Sequence, residues 1–258
     1  MQNFRSNLKK RIIPIILVKD YQVVKSRNFS DYRVFGNLEQ TINVFNNRDV
    51  DEIVILDIDS SKKKTGVNIE ILNILSKNNI MPLTYGGGIS SIKDIELCLK
   101  HGCDKVVINT QALKDINFIK KASSIYGSQC IVCSIDYKFY NKNFQIFSHS
   151  KINTNKINLK DYISDLIING AGEILLTSID QDGMMSGYDE NFNQIIENHK
   201  KIPIIINGGC GKPEDMLNTF EKNYVDAVCA SSIFFYSQYS YSDIKNFLYQ
   251  NNINVRKN

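Results

Sequence analysis

Short, nearly continuous apolar runs alternate along this chain with longer stretches whose apolar positions recur at helical spacing. The runs Ile12–Val18, Glu52–Asp57, Met81–Tyr85, Lys105–Asn109, Cys130–Asp136, Glu173–Ser178, Pro203–Asn207 and Asp226–Ala230 are rich in β-branched residues. They read as strands buried on both faces. Between them lie amphipathic patterns such as Ile92–His101 and Asp161–Asn169, followed by Gly102 and Gly170, where helix C-terminal punctuation belongs. Strict alternation of strand and helix predicts a parallel sheet. Eight such units within 258 residues predict an α/β fold of the closed (β/α)8 (TIM) barrel type, for which about 250 residues is typical. An open doubly wound sheet is the alternative arrangement of the same units.

An internal repeat strengthens the barrel. Tyr85-Gly-Gly-Gly88 is echoed by Asn207-Gly-Gly209 about 121 residues later. At a similar offset Asp104-Lys-Val-Val-Ile-Asn-Thr110 is echoed by Asp226-Ala-Val-Cys-Ala-Ser-Ser232, and Leu56-Asp57-Ile58-Asp59 by Ser178-Ile179-Asp180. Ile16-Leu17-Val18-Lys19 falls over Ile135-Asp136-Tyr137-Lys138. Two half-barrels of four strands each account for this. No linker separates them, so residues 1–258 read as one domain with a polar, basic extension at 1–10.

Composition narrows the function. A net charge of +4 is too mild to point to nucleic acid as the partner. No apolar run approaches the ~18–20 residues of a membrane span, and no apolar segment follows the basic N-terminus as in a signal peptide. The six cysteines lie mostly in apolar runs, which fits a reducing cytoplasm. Cys130 and Cys133 form a CxxC, but strand alternation sends the two thiols to opposite faces, so structural burial is expected rather than metal or redox chemistry. His101, His149 and His199 are dispersed without ligand spacing. Neither metal nor other cofactor is expected.

The chemistry gathers at strand ends. Gly86, Gly87 and Gly88 end the third strand, and Gly208 and Gly209 the seventh. Glycine lets backbone N–H groups approach an anion closely. A tight turn without ligand is the plain alternative, but equivalent places in both halves favour two phosphate sites. Asn109-Thr110 and Ala230-Ser231 follow the neighbouring strands and can complete them. The pair suits a long substrate phosphorylated at each end. Asp136 closes the fifth strand, where barrel enzymes place catalytic groups; it reads as a general acid or base, or else as a helix cap. Its repeat partner is Leu17, which cannot transfer a proton. Lys19 and Lys25 nearby are candidates to hold phosphate or a carbonyl oxygen. Asp182-Gly183 belongs to a turn or mobile active-site loop after the sixth strand, and Gly183 can lend a phosphate its N–H. Lys62-Lys63-Lys64 reads as a solvated run that can steer an anion.

At the opposite end, Arg11, Glu52, Lys105 and Glu173 open the first, second, fourth and sixth strands. Alternating signs there read as a salt-bridged plug on the axis, or as ordinary ion pairs at strand ends.

These residues resemble a known family. Arg11-Ile-Ile-Pro14, Val23-Val-Lys25, Asp51-Glu52, Leu56-Asp57-Ile58, Pro82-Leu-Thr84, Gly86-Gly-Gly-Ile89, Asp104-Lys105-Val106, Gly127-Ser-Gln-Cys-Ile-Val132, Gly172-Glu-Ile-Leu-Leu-Thr-Ser178, Asp182-Gly183 and Gly187-Tyr-Asp189 are similar to the cyclase subunit of imidazole glycerol phosphate synthase. The likeness runs from about Arg11 to the C-terminus. In that family a glutaminase releases ammonia, which enters the barrel at its N-terminal face and reacts with a bisphosphorylated nucleotide. The resemblance implies that Asp136 is one of two catalytic carboxylates. It implies phosphate binding by Gly88, Asn109 and Thr110 at one site and by Gly183, Gly208, Gly209, Ala230 and Ser231 at the other. It makes Arg11, Glu52, Lys105 and Glu173 an ammonia gate and turns Asp104 toward the glutaminase.

Two departures matter. The family carries Leu-Asp-Val-Lys-Asp-Gly where this chain has Ile16-Leu-Val-Lys-Asp-Tyr21, so Leu17 replaces the first catalytic aspartate. The first loop, Ser26 to Asn37, has also drifted, with Gly36-Asn37-Leu38 in place of Gly-Asp-Pro. A sister group of barrels shares an apolar residue at the aspartate position and is associated with amidation of sugars in surface-polysaccharide synthesis. Val44-Phe45-Asn46, Val50-Asp51-Glu52 and Leu56-Asp-Ile-Asp-Ser-Ser-Lys62 look like that group too. The sequence alone therefore favours a subunit that delivers ammonia to a separate sugar amidotransferase. The alternatives are a true cyclase of histidine synthesis and a non-catalytic phosphate-binding scaffold. For the cyclase, Asp20 is the only nearby substitute for the lost carboxylate, and its strand position faces elsewhere.

Overall fold

The computed structural model describes residues 8–256, apart from 142, 149–151, 153, 155, 156, 198–200 and 223. Its strands, in chain order, are β1 (Arg11–Lys19), β2 (Gln22–Arg27), β3 (Ser30–Asn37), β4 (Ile53–Asp57), β5 (Leu83–Gly86), β6 (Lys105–Ile108), β7 (Ile131–Tyr140), β8 (Asn143–Ile146), β9 (Glu173–Ser178), β10 (Ile204–Asn207) and β11 (Ala227–Ala230). Eight of them pair in parallel in the order β1-β4-β5-β6-β7-β9-β10-β11. Strand β11 returns to β1 through Arg11↔Ala227 to Pro14↔Ala230, which closes the (β/α)8 barrel. An open sheet is thereby excluded.

The helices sit where apolar spacing and the following glycines predict. Ile92–Lys100 starts at a capping box between Ser91 and Asp94, buries Ile95 and Cys98, and gives way to Gly102 at φ 87°. Leu159–Ile168 is capped by the Asn158 side chain on two backbone N–H groups and gives way to Gly170 at φ 96°. Most of the core lies between these helices and the outer face of the sheet. A second, smaller cluster fills the barrel itself: Ile13, Ile15, Val54, Val107, Val132, Leu175, Ile205, Ala227 and Cys229. The repeat is visible in bonding. Asp104 accepts from the backbone N–H of Leu83 at 2.8 Å, and Asp226 from that of Ile204 at 3.0 Å.

The structure differs from the sequence reading in two places. Ser26 to Asn37, taken as a loop, is largely an antiparallel excursion in which β2 pairs with both β1 and β3. Polar residues on a two-sided, exposed strand such as β3 leave no buried alternation to read. Cys130 ends a short 3-10 turn before β7 instead of opening the strand; it is half-buried, Cys133 is buried, and both are free thiols. His149 and His199 lie outside the described residues. His101 closes its helix, with Nδ1 2.8 Å from the Leu97 carbonyl.

Both tips of the excursion are two-residue turns with left-handed backbone, Asp20-Tyr21 at φ 46° and 64° and Asn28-Phe29 at 51° and 59°. Such turns match the twist of a hairpin but favour glycine or asparagine. A tyrosine held in the left-handed region costs roughly 1–2 kcal/mol. Tyr21 is exposed, so little packing is lost on replacing it. Tyr21→Gly is expected to raise unfolding stability by about 0.5–1 kcal/mol, net of glycine's larger unfolded-state entropy, as read by urea denaturation.

Candidate active site and axial charged ring

Each inward-facing strand end contributes to a cavity at the C-terminal mouth. Ile15, Leu17, Leu56 and Val107 line one part of it; Ser134, Asp136, Thr177 and Asn207 line another. Register explains the grouping. Leu17 lies beside Leu56 across β1 and β4, and Asp136 beside Thr177 across β7 and β9. The first group is apolar, whereas the second carries hydrogen-bonding side chains, with the Asn207 amide donating to Thr177 Oγ1 at 3.2 Å.

Asp136 is buried, and Asn109 Nδ2 donates to its Oδ2 at 2.9 Å. Burial pushes its carboxyl up to about 7; the Asn109 bond pulls the other way, and the negative charge of Asp182 adds to the rise. Asp182 is also pushed up by burial, against a 2.6 Å bond from Ser26 Oγ, a backbone N–H of Phe29 and the charge of Lys25. Lys25 is buried, in contact with Ser231 Oγ and 3.6 Å from the centre of the Phe235 ring. Burial holds its ammonium well below the ordinary lysine range, with Asp182 opposing. The β2–β3 excursion is pinned over the mouth: Asn28 donates from its backbone to Asp182 O at 2.9 Å and from its side chain to Asp180 O at 2.8 Å.

The glycines expected at the phosphate sites meet in two clusters. Gly88 has φ 74°, its N–H donates to Ser61 Oγ at 3.3 Å, and a Cβ there would lie 2.1 Å from the Gly66 carbonyl oxygen. Asn109 and Thr110 line the mouth with it. Its repeat partner Gly209 has φ 106°, and a Cβ there would lie 2.0 Å from the Gly187 carbonyl oxygen. Gly183, Gly208, Ala230 and Ser231 line the same cavity, and Ser231 Oγ donates to the Ile15 carbonyl at 2.5 Å. Lys19 reaches over the Tyr32 ring at 5.2 Å, and Lys62 shares that ring at 5.7 Å. Lys63 pairs at the surface with Asp20 at 2.6 Å and Asp59 at 3.0 Å. Asp20 is thus exposed, outside the cavity.

At the other end of the barrel the four charges form a ring. Arg11 reaches Glu52 at 2.7 Å and Glu173 at 3.0 Å; Lys105 reaches the same two carboxylates at 3.0 and 3.2 Å. Burial tends to raise Glu52, but Arg11, Lys105 and a 2.8 Å bond from Thr84 Oγ1 outweigh it and hold the carboxyl below its usual range. Asp104 is exposed on this face. Thr84 and Ser26 are site residues that the sequence reading did not single out. A hydroxyl's partner depends on which neighbouring strand or loop faces it, so their spacing along the chain carried no signal. Among the described residues no cluster of His, Cys, Asp or Glu could hold a metal, and no helix is long and apolar enough to cross a membrane.

A closed (β/α)8 barrel with repeated glycine turns around a carboxylate mouth, and a charged ring at its foot, defines the class of molecule. A model for the family described as "Histidine biosynthesis protein" matches residues 11–240, and the chain belongs to that family. Three relatives show where in it the chain falls. A Campylobacter jejuni protein named "Putative imidazole glycerol phosphate synthase subunit hisF2" is 43% identical over 96% of this chain and 99% of its own length. The imidazole glycerol phosphate synthase subunit HisF of Natranaerobius thermophilus is 38% identical, again over 96% and 99%. That of Methanocaldococcus jannaschii is 37% identical over the same shares. The chain is a HisF-like barrel.

Two measurements probe the electrostatics. A carboxyl at about 7 when folded and near 3.8 when unfolded takes up protons on folding, so its contribution to stability falls as pH rises between those values. Asp136→Asn removes that penalty. Its melting temperature is expected to gain on the parent's progressively from pH 4 to pH 8 and to gain no more above that range. Glu52→Ala leaves two cations facing one carboxylate and is expected to cost about 3–5 kcal/mol in urea denaturation.

Proposed function

We propose that this chain is the cyclase-type subunit of a glutamine-dependent imidazole glycerol phosphate synthase. A glutaminase docks on the N-terminal face around Asp104, and the ring of Arg11, Glu52, Lys105 and Glu173 gates the ammonia it releases. The ammonia travels along the apolar barrel interior and emerges beside Asp136, where a substrate phosphorylated at both ends is held by the two glycine clusters. The observation that carries this reading is the coaxial order of charged ring, apolar interior and carboxylate mouth in one closed barrel. Neutral ammonia crosses such an interior far more cheaply than an ion would. The names of the relatives support the synthase assignment as well.

Leu17 favours a second reading, in which the barrel passes ammonia on for amidation in surface-sugar synthesis and closes no ring itself. Loss of a proton-transfer group typically costs ~10²–10⁴-fold in rate. The phosphate-binding scaffold without a glutaminase receives no support from the intact charged ring. The readings separate in one assay, with the bisphosphorylated nucleotide and saturating ammonium salt. The synthase reading expects imidazole glycerol phosphate to form in proportion to enzyme. Absence of product, with glutamine hydrolysis still stimulated in the glutaminase complex, would favour delivery.

A further inference from the structure

We propose that Asp182 is the second proton-transfer group of this barrel, in the role that Leu17 cannot fill; the inference rests on the ring-closing reading above. Three carboxylates line the mouth among the described residues: Asp57, Asp136 and Asp182. Asp57 is spent on local structure, accepting from the Ser60 hydroxyl at 2.5 Å and from the backbone N–H groups of Asp59 and Ser60 at 3.2 and 3.3 Å. Asp20, the substitute that the sequence offers, is exposed and paired with Lys63. Asp182 lines the cavity with Asp136, acts on it electrostatically and, unlike Asp57, is not bonded to the backbone N–H groups of a following turn.

Its surroundings suit a base. Burial pushes its proton affinity above that of an ordinary carboxylate, while a 2.6 Å bond from Ser26 Oγ and the charge of Lys25 oppose the rise and favour its ionised form. Asp136 accepts an amide N–H from Asn109, yet burial still pushes its carboxyl up. Two like charges in one cavity resist ionising together, and Ser26 and Lys25 favour the charged form of Asp182, so one proton shared between them settles preferentially on Asp136. That arrangement gives one acid and one base. When ammonia condenses with a carbonyl carbon, the C–N bond forms as the C=O π pair moves onto oxygen, which takes the Asp136 proton, while one N–H proton passes to the Asp182 carboxylate. The C–O bond then breaks as Asp182 returns that proton to the departing hydroxyl, which leaves as water, and the second N–H proton passes back to Asp136. The sum is NH3 plus C=O giving C=NH plus H2O, with both carboxyl groups together holding the same number of protons before and after.

The position of Asp182 depends on the excursion of β2 and β3. Asn28 holds the hairpin tip to the backbone at 180 and 182, and a Cβ on Gly183 would lie 1.9 Å from the Ser26 carbonyl oxygen. The carboxylate is therefore delivered over the mouth by contact with the hairpin, not by its own strand.

The test uses the full-length chain with the bisphosphorylated substrate and saturating ammonium salt, comparing the parent with Asp182→Asn, Ser26→Ala and Leu17→Asp. Asp182→Asn is expected to lower kcat by ~10²-fold or more with KM little changed. Ser26→Ala removes the clamp but keeps the carboxylate, and is expected to lower kcat by less than about tenfold. Leu17→Asp, an independent check should the first variant fold poorly, is expected to raise kcat by less than about tenfold because a second group is already present. Asp182→Asn turning over at the parent rate would overturn the proposal, as would Ser26→Ala falling as far as Asp182→Asn, or Leu17→Asp gaining 10²-fold or more. A parent chain that makes no product at all would overturn the ring-closing reading and this inference together, whereas the other failures sink the inference alone.

Discussion

The parallel pairing of β11 with β1 is the constraint on which the molecule depends, because it turns a row of strands into a tube with two ends. Without that closure the residues opening the strands and those closing them would lie along two edges of a sheet. With it, Arg11, Glu52, Lys105 and Glu173 converge on one axis, and the strand ends converge on one mouth. The apolar layer between them separates two polar regions that a solvent path would otherwise join. Arg11 and Glu52 are kept ionised by the opposite charges of the ring despite burial, so the ring holds together only as a set.

The mouth shows how a barrel tolerates the loss of one chemical group. Leu17 packs beside Leu56 as any inward-facing aliphatic residue would, and the fold is indifferent to the change. What the change removes is a charge. The remaining carboxylate is buried, and burial dominates its proton affinity. Asp182 partly restores the balance from a different direction, reaching the cavity from the loop after β9 instead of from a strand end. Strand and loop can supply the same chemistry because the closed excursion of β2 and β3 gives the loop a rigid neighbour.

Much of the barrel was legible in the chain. The eight apolar runs, the helical spacing of Ile92–His101 and Asp161–Asn169 and the glycines after those helices each express a local preference that the fold adopts. The repeat made the pairing of Gly88 with Gly209 readable, and the structure gives both the same left-handed backbone and the same intolerance of a side chain. The excursion was not legible, since an exposed edge strand buries neither face and its turns use tyrosine and phenylalanine where glycine is usual.

The sequence by itself determined the periodicities, hence the kind of element at each place, and the presence of Leu17 at the place that repeats Asp136. These are properties of a residue and its near neighbours. Tertiary structure alone decided which acidic groups share a cavity. Asp20 lies three residues from Leu17 yet points to solvent, while Asp182, far away along the chain, lies at the mouth with Asp136. Closure and the folding-over of a hairpin set distances in space that have no relation to separation along the chain, and proton transfer depends only on the former.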